Sequence, residues 1–598
     1  MTKAAISLFF SLLITCVHSE ELVEEVILIS PKLPAQLDKL LSTVDALDAQ
    51  SINQINPKDL KTLLRTNFAI DISSNGGPGQ ISSIFLRGSN SNQTVVKING
   101  IKINPSTAGG AALYNLDPLL ISRIEIGSGP LSSLHGSDAI GGIINIYTTP
   151  QGEENFLTFS LNSGSNNLFK KGLNAFWEKN NYAVSFYSID SDTDGFPTLT
   201  SSNLDRGYNN FSQTSSFDYN SRDFKASFSS WSSNGKTEYL DFFGIPVSQD
   251  YENTAYSILL SYLLQNNKKI DINFGSSKDF IKQKEGNYLG IKDLTLTDRN
   301  SFEISVYSKV KNNNNFILGF NQNAEKVDYS VHGDEFVKSL KTKSIFTSNQ
   351  FFSKNALFGF SVRLSDHETY GKNTSWNLGY KKRLNNSWSL ILNSGMAFRS
   401  PNSSELFGFG SNINLKPETS RSSELRLDRT INKDNILGLT IFTYKTDNLI
   451  NYDFSESKLK NIDQAQNEGS EVRYKWTGKT FRGDMLLRVQ SPKDSNRKNL
   501  LRRSRKAMSC NIYRDFKGAT INFNLTGFDR RKDIGNKNLP GYFLLNTSFT
   551  KELNKKLSFS LSLENILDKE YFTAAGFNGY YRNQERAIWV HLKYDLLR

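Results

Sequence analysis

The sequence predicts a large antiparallel β-barrel that crosses a membrane, preceded by a smaller mixed α+β domain. Three observations lead there. Hydrophobic residues make up only 38% of the 598 residues, yet aromatics reach 12%, with 41 Phe and 24 Tyr. Beyond residue 150, apolar and polar residues alternate with period two, as where Leu157, Phe159 and Leu161 are set among Thr158, Ser160 and Asn162. Such alternation puts one face of a strand in lipid and the other in a polar lumen. No run of about 18 consecutive apolar residues exists, so helical membrane spans are excluded.

At the N-terminus, Lys3 precedes an apolar run over 4–17, and Val17-His18-Ser19 makes an acceptable cleavage site. Residues 1–19 therefore read as a secretory signal peptide, too short to span a bilayer. Cys16 follows Leu13-Ile14-Thr15, and Thr stands where a lipoprotein signal wants Gly, Ala or Ser. Cleavage after Ser19 leaves Cys510 as the only cysteine, which rules out a disulfide framework. The next segment, 22–30, reads Leu-Val-Glu-Glu-Val-Ile-Leu-Ile-Ser. An extended β-branched peptide near a free terminus suits strand addition to another protein's sheet edge.

From about residue 40 to 150 the chain looks globular. Asn56-Pro57-Lys58-Asp59-Leu60 carries helix-start chemistry ahead of an apolar face. Segments 95–98 and 101–103 flank Asn99-Gly100, a dipeptide that accepts positive φ at both positions of a hairpin turn. Segment 122–146 holds five glycines and a proline between β-branched runs, so it reads strand, tight turns, strand. Alternation then takes over, at Tyr182, Val184 and Phe186, at Leu557, Phe559, Leu561 and Leu563, and at Ile588, Val590, Leu592, Tyr594 and Leu596. The remaining residues, about 450 of them, allow about 22 strands at roughly 20 residues per strand and connection.

The formal charge of +12 does not point to nucleic acid, because Lys and Arg are spread among Asn and Ser with no basic helix or aromatic platform. The dense cluster Arg502-Arg503-Ser504-Arg505-Lys506 reads as a solvated strand end or lumen wall. No enzyme is expected. The five histidines, His18, His135, His332, His367 and His591, are scattered without zinc spacing. Ser132 and Ser133 near His135 lie in a Gly-rich turn with no nucleophile elbow. Asp190-Ser-Asp192-Thr-Asp194-Gly195 opens like an EF-hand loop, but the twelfth position is Ser201 and nothing flanking it is helical. A hard-cation site on a barrel loop and a solvated acidic loop both remain open readings.

Several of these stretches carry a resemblance. Segment 122–146 resembles the signature that ends the plug domain of TonB-dependent outer-membrane receptors, with Ser128 where that family has Arg and His135 where it usually has Tyr. Ile84-Phe85-Leu86-Arg87-Gly88 is similar to the family's plug motif, and Ala397-Phe398-Arg399-Ser400-Pro401 to a barrel strand running into an extracellular loop. Segment 563–571 resembles the penultimate-strand motif and its periplasmic turn. Glu24, Glu25, Val26, Ile27, Leu28, Ile29 and Ser30 resemble the TonB box. Asn75-Gly-Gly-Pro-Gly-Gln-Ile-Ser-Ser83 is narrower, and is most similar to the cobalamin receptors of the family.

The resemblance implies a signal peptide (1–19), a TonB box and linker (20–39), a plug inside the lumen (40–150) and a transmembrane barrel (151–598). It implies a monomer in the lipid of the Gram-negative outer membrane, importing cobalamin or another corrinoid. Energy would come from TonB with ExbB and ExbD, and a periplasmic cobalamin-binding protein would take the cargo onward. Ligand contacts carry over to Ile81, Ser83, Asn90, Ala108, Gly109 and Arg502, and a structural Ca²⁺ to Asp190, Asp192, Asp194, Asp241 and Asp250. Within the family the runner-up is a ferric-siderophore or haem receptor. Haem receptors typically carry a histidine in the loop after the Phe-Arg-Ser-Pro-like motif, and here none lies between Ser400 and Glu418. From another class, a passive porin or adhesin barrel would need neither plug nor coupling peptide.

Overall fold

The computed structural model describes residues 26, 27, 35, 36 and 40–597, apart from 151–153, 242, 266, 286–289, 311, 312, 433 and 454. Twenty-two antiparallel strands close into a barrel. The first, Phe156–Gly164, pairs with the last, Ala587–Leu597, and Leu161 lies opposite Leu592. The expected alternation is realised. Phe159, Leu161, Tyr182, Val184, Phe186, Ile588, Leu592 and Tyr594 are exposed on the outer face, whereas Thr158, Asn162 and Ser185 are buried inside. Short turns such as 180–181 and 517–518 join the strands at one end, and longer connections such as 400–417, 491–505 and 565–586 join them at the other. Short turns mark the periplasmic end of such a barrel and long loops the extracellular end.

This polarity corrects one expectation. The first strand rises from the periplasmic rim and directions alternate, so the penultimate strand, Leu557–Glu564, also climbs outward. The turn after it is therefore extracellular, not periplasmic. It leads into a small hairpin, Phe572–Gly576 with Gly579–Arg582, that folds inward and accepts the Ser74 N–H at Thr573 Oγ1, 3.1 Å away.

The lumen holds a mixed α+β domain. Its five-stranded sheet runs in the order Thr43–Asp48, Arg123–Ser128, Gly142–Tyr147, Thr94–Ile98, Ile101–Lys102. Asn99 and Gly100 take φ of 47° and 86°, giving the expected hairpin. The glycine-rich segment forms its two strands, with a helical turn Ser132–His135 between them. Helix Leu60–Phe68 starts where the Asp59 carboxylate accepts the Thr62 N–H at 2.8 Å. Its buried face (Leu60, Leu63, Leu64) meets Ile124, Ile126, Ile144 and Ile146, and the same core continues into Tyr187, Ile189, Trp231 and Ala255 of the wall. Plug and wall thus share one apolar core.

A buried ionic network adds to this. Arg87, with φ of +47°, places its guanidinium 2.6 Å from Glu424 and 2.8 Å from Glu471, and Arg488 reaches Glu471 at 3.0 Å. Its carbonyl accepts hydrogen bonds from Tyr444 and Asn467. Near the start of the described chain, Val26–Ile27 pairs antiparallel with Ala35–Gln36. The signal peptide and Glu24, Glu25, Leu28, Ile29 and Ser30 of the expected TonB box lie outside the described residues.

Candidate ligand-binding site at the extracellular mouth

Two plug loops form a floor beneath the long extracellular loops. The first joins strands Asp71–Ser74 and Ser82–Phe85, and closes where the Asn75 N–H donates to the Ile81 carbonyl at 3.1 Å. Gly79, at φ +65°, lies so close to the Tyr208 ring that a side chain has no room. Ile81 stands at the tip, 56% exposed, and Ser83 is half-buried behind it, paired with Ser73. The second loop is held by Asn104, whose amide donates to the carbonyls of Thr94 (3.0 Å) and Gly109 (2.9 Å). Ala108 is exposed there. Gly109, at φ +72°, would bring a Cβ to 2.5 Å from that of Asn92.

Residues 90–92 join the two loops. Ser91 Oγ accepts the Ile84 N–H at 3.2 Å and abuts Gly110, while Asn90 caps the short turn Ser91–Gln93. Ile81, Ser83, Asn90 and Ala108 therefore lie on joined loops of small, uncharged residues, with Gly109 buried against Asn92. Such a surface permits close backbone approach by a large ligand. Arg502 is instead held by the extracellular connections. Its Nε donates to Asp533 at 2.7 Å, and Asp533 also accepts the Ala575 N–H at 2.5 Å, so Arg502 ties three extracellular connections together.

The residue of the basic cluster that touches the floor is Arg503. It donates to the Asn90 side chain and lies 3.9 Å from the centroid of the Phe85 ring. Sequence reading missed it, although the cluster was visible. Ser504 then donates to the Asp71 carboxylate at 2.8 Å. Burial pushes that carboxyl above the usual carboxylate range, an effect Arg531 and Ser504 partly offset. Arg399 is a second missed residue. It pairs with Glu418 at 2.7 Å and Glu405 at 2.8 Å, and so shapes the segment 400–417. Helix Ser403–Phe407 of that segment rests on the second plug loop, with Ser403 N–H donating to the Ser106 carbonyl at 3.0 Å. A polar cavity of about 370 Å³ separates the Asn99-Gly100 hairpin from the wall at Arg299, Glu325 and His367.

The acidic residues expected to hold calcium are not brought together. Asp190, Asp192 and Asp194 lie within strand Tyr182–Pro197, not in a loop, and share the outer face of Val184 and Phe186. Asp190 pairs with Lys171 at 3.0 Å, and Asp194 accepts from Asn167 at 2.6 Å. Asp250 faces outward from strand Pro246–Leu264 and pairs with Lys284 at 2.5 Å. Asp241 closes its own loop, accepting the N–H groups of Phe243 (2.9 Å) and Ile245 (2.8 Å). Across the sheet Asp192 is followed by Asn209, Lys236 and then Asp250, which puts the two carboxylates three strand spacings apart, about 14 Å. Among the described residues no three acidic, His or Cys side chains are placed to hold a metal ion. The carboxylates in this arrangement do not fit a shared Ca²⁺.

A 22-stranded barrel closed around a plug, with a loop-built floor under its mouth, defines an outer-membrane receptor of the plugged, energy-coupled type. The comparisons agree. Residues 146–566 match the family TonB dependent receptor-like, beta-barrel, and residues 36–143 match the TonB-dependent Receptor Plug Domain. The chain belongs to the TonB-dependent receptor family and is an outer-membrane protein. It is 26% identical to the vitamin B12 transporter BtuB of Vibrio vulnificus, over 98% of this chain and 99% of that one. It is also 26% identical to that of Vibrio cholerae, over the whole of both chains. Among solved structures it resembles the ferric enterobactin receptor PfeA of Pseudomonas aeruginosa (TM-score 0.80, 16% identity, 93% of this chain and 100% of that chain). It likewise resembles the siderophore receptor PiuA of Acinetobacter baumannii (TM-score 0.78, 14% identity, 94% and 97%).

Proposed function

We propose that this receptor binds a corrinoid of the cobalamin class at its extracellular mouth and imports it with energy delivered through TonB. The observation that carries the reading is the floor of small, neutral residues that includes Ile81, Ser83, Asn90 and Ala108, on a chain collinear with vitamin B12 transporters along its full length. A large neutral macrocycle with amide arms gains affinity from apolar contact and a few hydrogen bonds to small groups. The protein binds and releases this cargo without covalent chemistry. ExbB and ExbD power the coupling protein, and a periplasmic cobalamin-binding protein receives the cargo.

A second reading, a ferric-siderophore receptor, is favoured by Arg503 at the floor, since an anionic ferric chelate attracts guanidinium groups. Equilibrium binding of the purified protein to cobalamin and to a panel of ferric chelates separates the two. Micromolar or tighter binding of cobalamin alone supports the first, and selective binding of a chelate replaces it with the second.

A further inference from the structure

We infer that the periplasmic rim of the barrel binds anionic phospholipid, with the lipid phosphate held by Lys382 and Arg429 beside Trp388. The site is independent of which cargo the receptor carries.

The formal charge of +12 is not answered evenly over the molecule. Towards the extracellular rim, lysines on the outer face meet carboxylates. Lys171 pairs with Asp190 at 3.0 Å, Lys278 with Glu252 at 2.7 Å and Lys284 with Asp250 at 2.5 Å. The periplasmic rim differs. Its turns 353–355 and 384–387 contain no acidic residue, yet Lys354 lies in the first, and Lys382 and Arg383 end the strand that enters the second. Arg429 lies on the strand paired with Trp388–Arg399. All four cations are exposed, and among the described residues none is in an ion pair. Asp434, in the turn beyond Arg429, pairs with none of them.

Strand register gathers these cations around one ring. Arg429 stands directly opposite Trp388, its guanidinium 5.4 Å from the ring centroid. Lys382 is opposite Leu390, two positions from Trp388 on the same face, so it reaches the ring across the diagonal of about 7–8 Å. The Arg383 N–H donates to the Asn355 carbonyl at 2.8 Å, which brings Lys354 alongside. Nearby, Phe351 and Phe358 are exposed on the outer face with ring centroids 6.3 Å apart. Lipid-facing aromatics at a strand end mark the headgroup level of the bilayer. A cation stacked on such a ring therefore stands at the depth of lipid phosphates, beside the bilayer and not beneath the barrel. That depth favours a lipid over a soluble acidic partner. The arrangement recurs around the rim, where Arg514 lies 5.2 Å from the Phe481 ring and Lys517 5.3 Å from the Phe516 ring.

Like charges gathered without an anion repel one another, and a phosphodiester relieves that repulsion. A guanidinium and an ammonium both donate to its oxygens. The acyl chains then run along Leu392 and Leu425, which are exposed on the same face further into the apolar band. Basic residues beside a membrane surface gain affinity for anionic lipid in this way.

The test titrates the full-length protein in neutral detergent with phosphatidylglycerol and with phosphatidylcholine, and reads retained lipid by native mass spectrometry. Lys382→Gln with Arg429→Gln removes the site, and Lys341→Gln with Lys343→Gln removes two exposed lysines elsewhere on the outer face. All four positions are exposed, so the barrel should keep its heat resistance in detergent. The expected result is about tenfold or greater retention of phosphatidylglycerol over phosphatidylcholine, falling to within about twofold in the Lys382 and Arg429 variant and unchanged in the other. Equal retention of both lipids by the unmutated protein overturns the site and leaves the cluster to a soluble acidic partner. A preference that survives loss of Lys382 and Arg429 overturns it too. Equal loss in both variants would mean that net charge alone is read, and displacement of the lipid by millimolar inorganic phosphate would mean a free-anion site. Either outcome also overturns the proposal.

Discussion

Arg87 and Glu471 stand 384 positions apart in the chain and meet at 2.8 Å across the boundary between plug and wall. Both side chains are almost wholly buried. A buried charge without a partner is costly, so this contact fixes where the plug sits, as well as holding it there. Glu471 is shared with Arg488 and Arg473, and Glu424 with Thr43, so no single bond in the network is isolated.

Arg87→Ala is expected to loosen the plug by roughly 3 kcal/mol, because it leaves Glu424 and Glu471 short of a cation in a buried site. Limited proteolysis should show faster cleavage within the plug, with the barrel still resistant to heat in detergent. The barrel's own hydrogen bonding closes without the plug. Unchanged plug protection would count against the network as an anchor.

Ile81→Asp tests the floor. The residue is exposed, so the fold bears little cost, yet a ligand resting there meets a charge in place of an apolar tip. Losing the burial of one isoleucine amounts to about 1.5–3 kcal/mol, or roughly a 10- to 100-fold rise in Kd. Gly109→Val should weaken binding too, through strain at φ +72° and collision with Asn92. Normal cobalamin affinity in both variants would place the ligand elsewhere.

Cobalamin affinity is expected to be the same in EDTA and in millimolar Ca²⁺, since Asp192 and Asp250 are held apart with Lys236 between them. Asp192→Asn with Asp194→Asn should likewise leave binding unchanged. Isothermal titration reads both. A rise in affinity with Ca²⁺ of fivefold or more, within the usual range for coupled sites, would show that the outer loops rearrange around the ion.

Ile27→Pro is expected to abolish energy-dependent uptake while leaving surface binding intact. Proline removes a backbone donor from a segment that pairs as a strand, and so blocks strand addition by a partner. Radiolabelled cobalamin uptake by whole cells, with and without the proton-motive force, distinguishes lost coupling from lost binding.

Much of the architecture was legible in the residues. Phe159 and Leu161 announce a lipid face because bilayer and lumen impose opposite demands on neighbouring positions. Asn99-Gly100 announces a hairpin because few other pairs accept its dihedrals. The acidic stretch shows where the same logic misleads. Asp190, Asp192 and Asp194 alternate as loop ligands do, but they alternate equally well as the outer face of a strand extending beyond the apolar band. Segment 563–571 was placed at the wrong end because motif likeness carries no strand parity; only the full count of strands fixes it. The contact of Arg503 and the partners of Arg87 were beyond reach, since pairings such as Arg503 with Asn90 join residues 413 positions apart. No local pattern encodes them.

The pairing of Phe156–Gly164 with Ala587–Leu597 has a consequence for how the molecule comes into being. Until the final strand is delivered, the first has one bare edge, and the growing sheet offers an open row of donors and acceptors to any passing chain. Closure must wait for a contact between residues at opposite ends of the barrel sequence, the kind of distant encounter that makes folding slow and aggregation a hazard. A chain truncated just before Ala587 would keep nearly all its hairpins and still lack a seam. Its expected fate is degradation or self-association, so the last eleven residues of strand govern the yield of all that precede them.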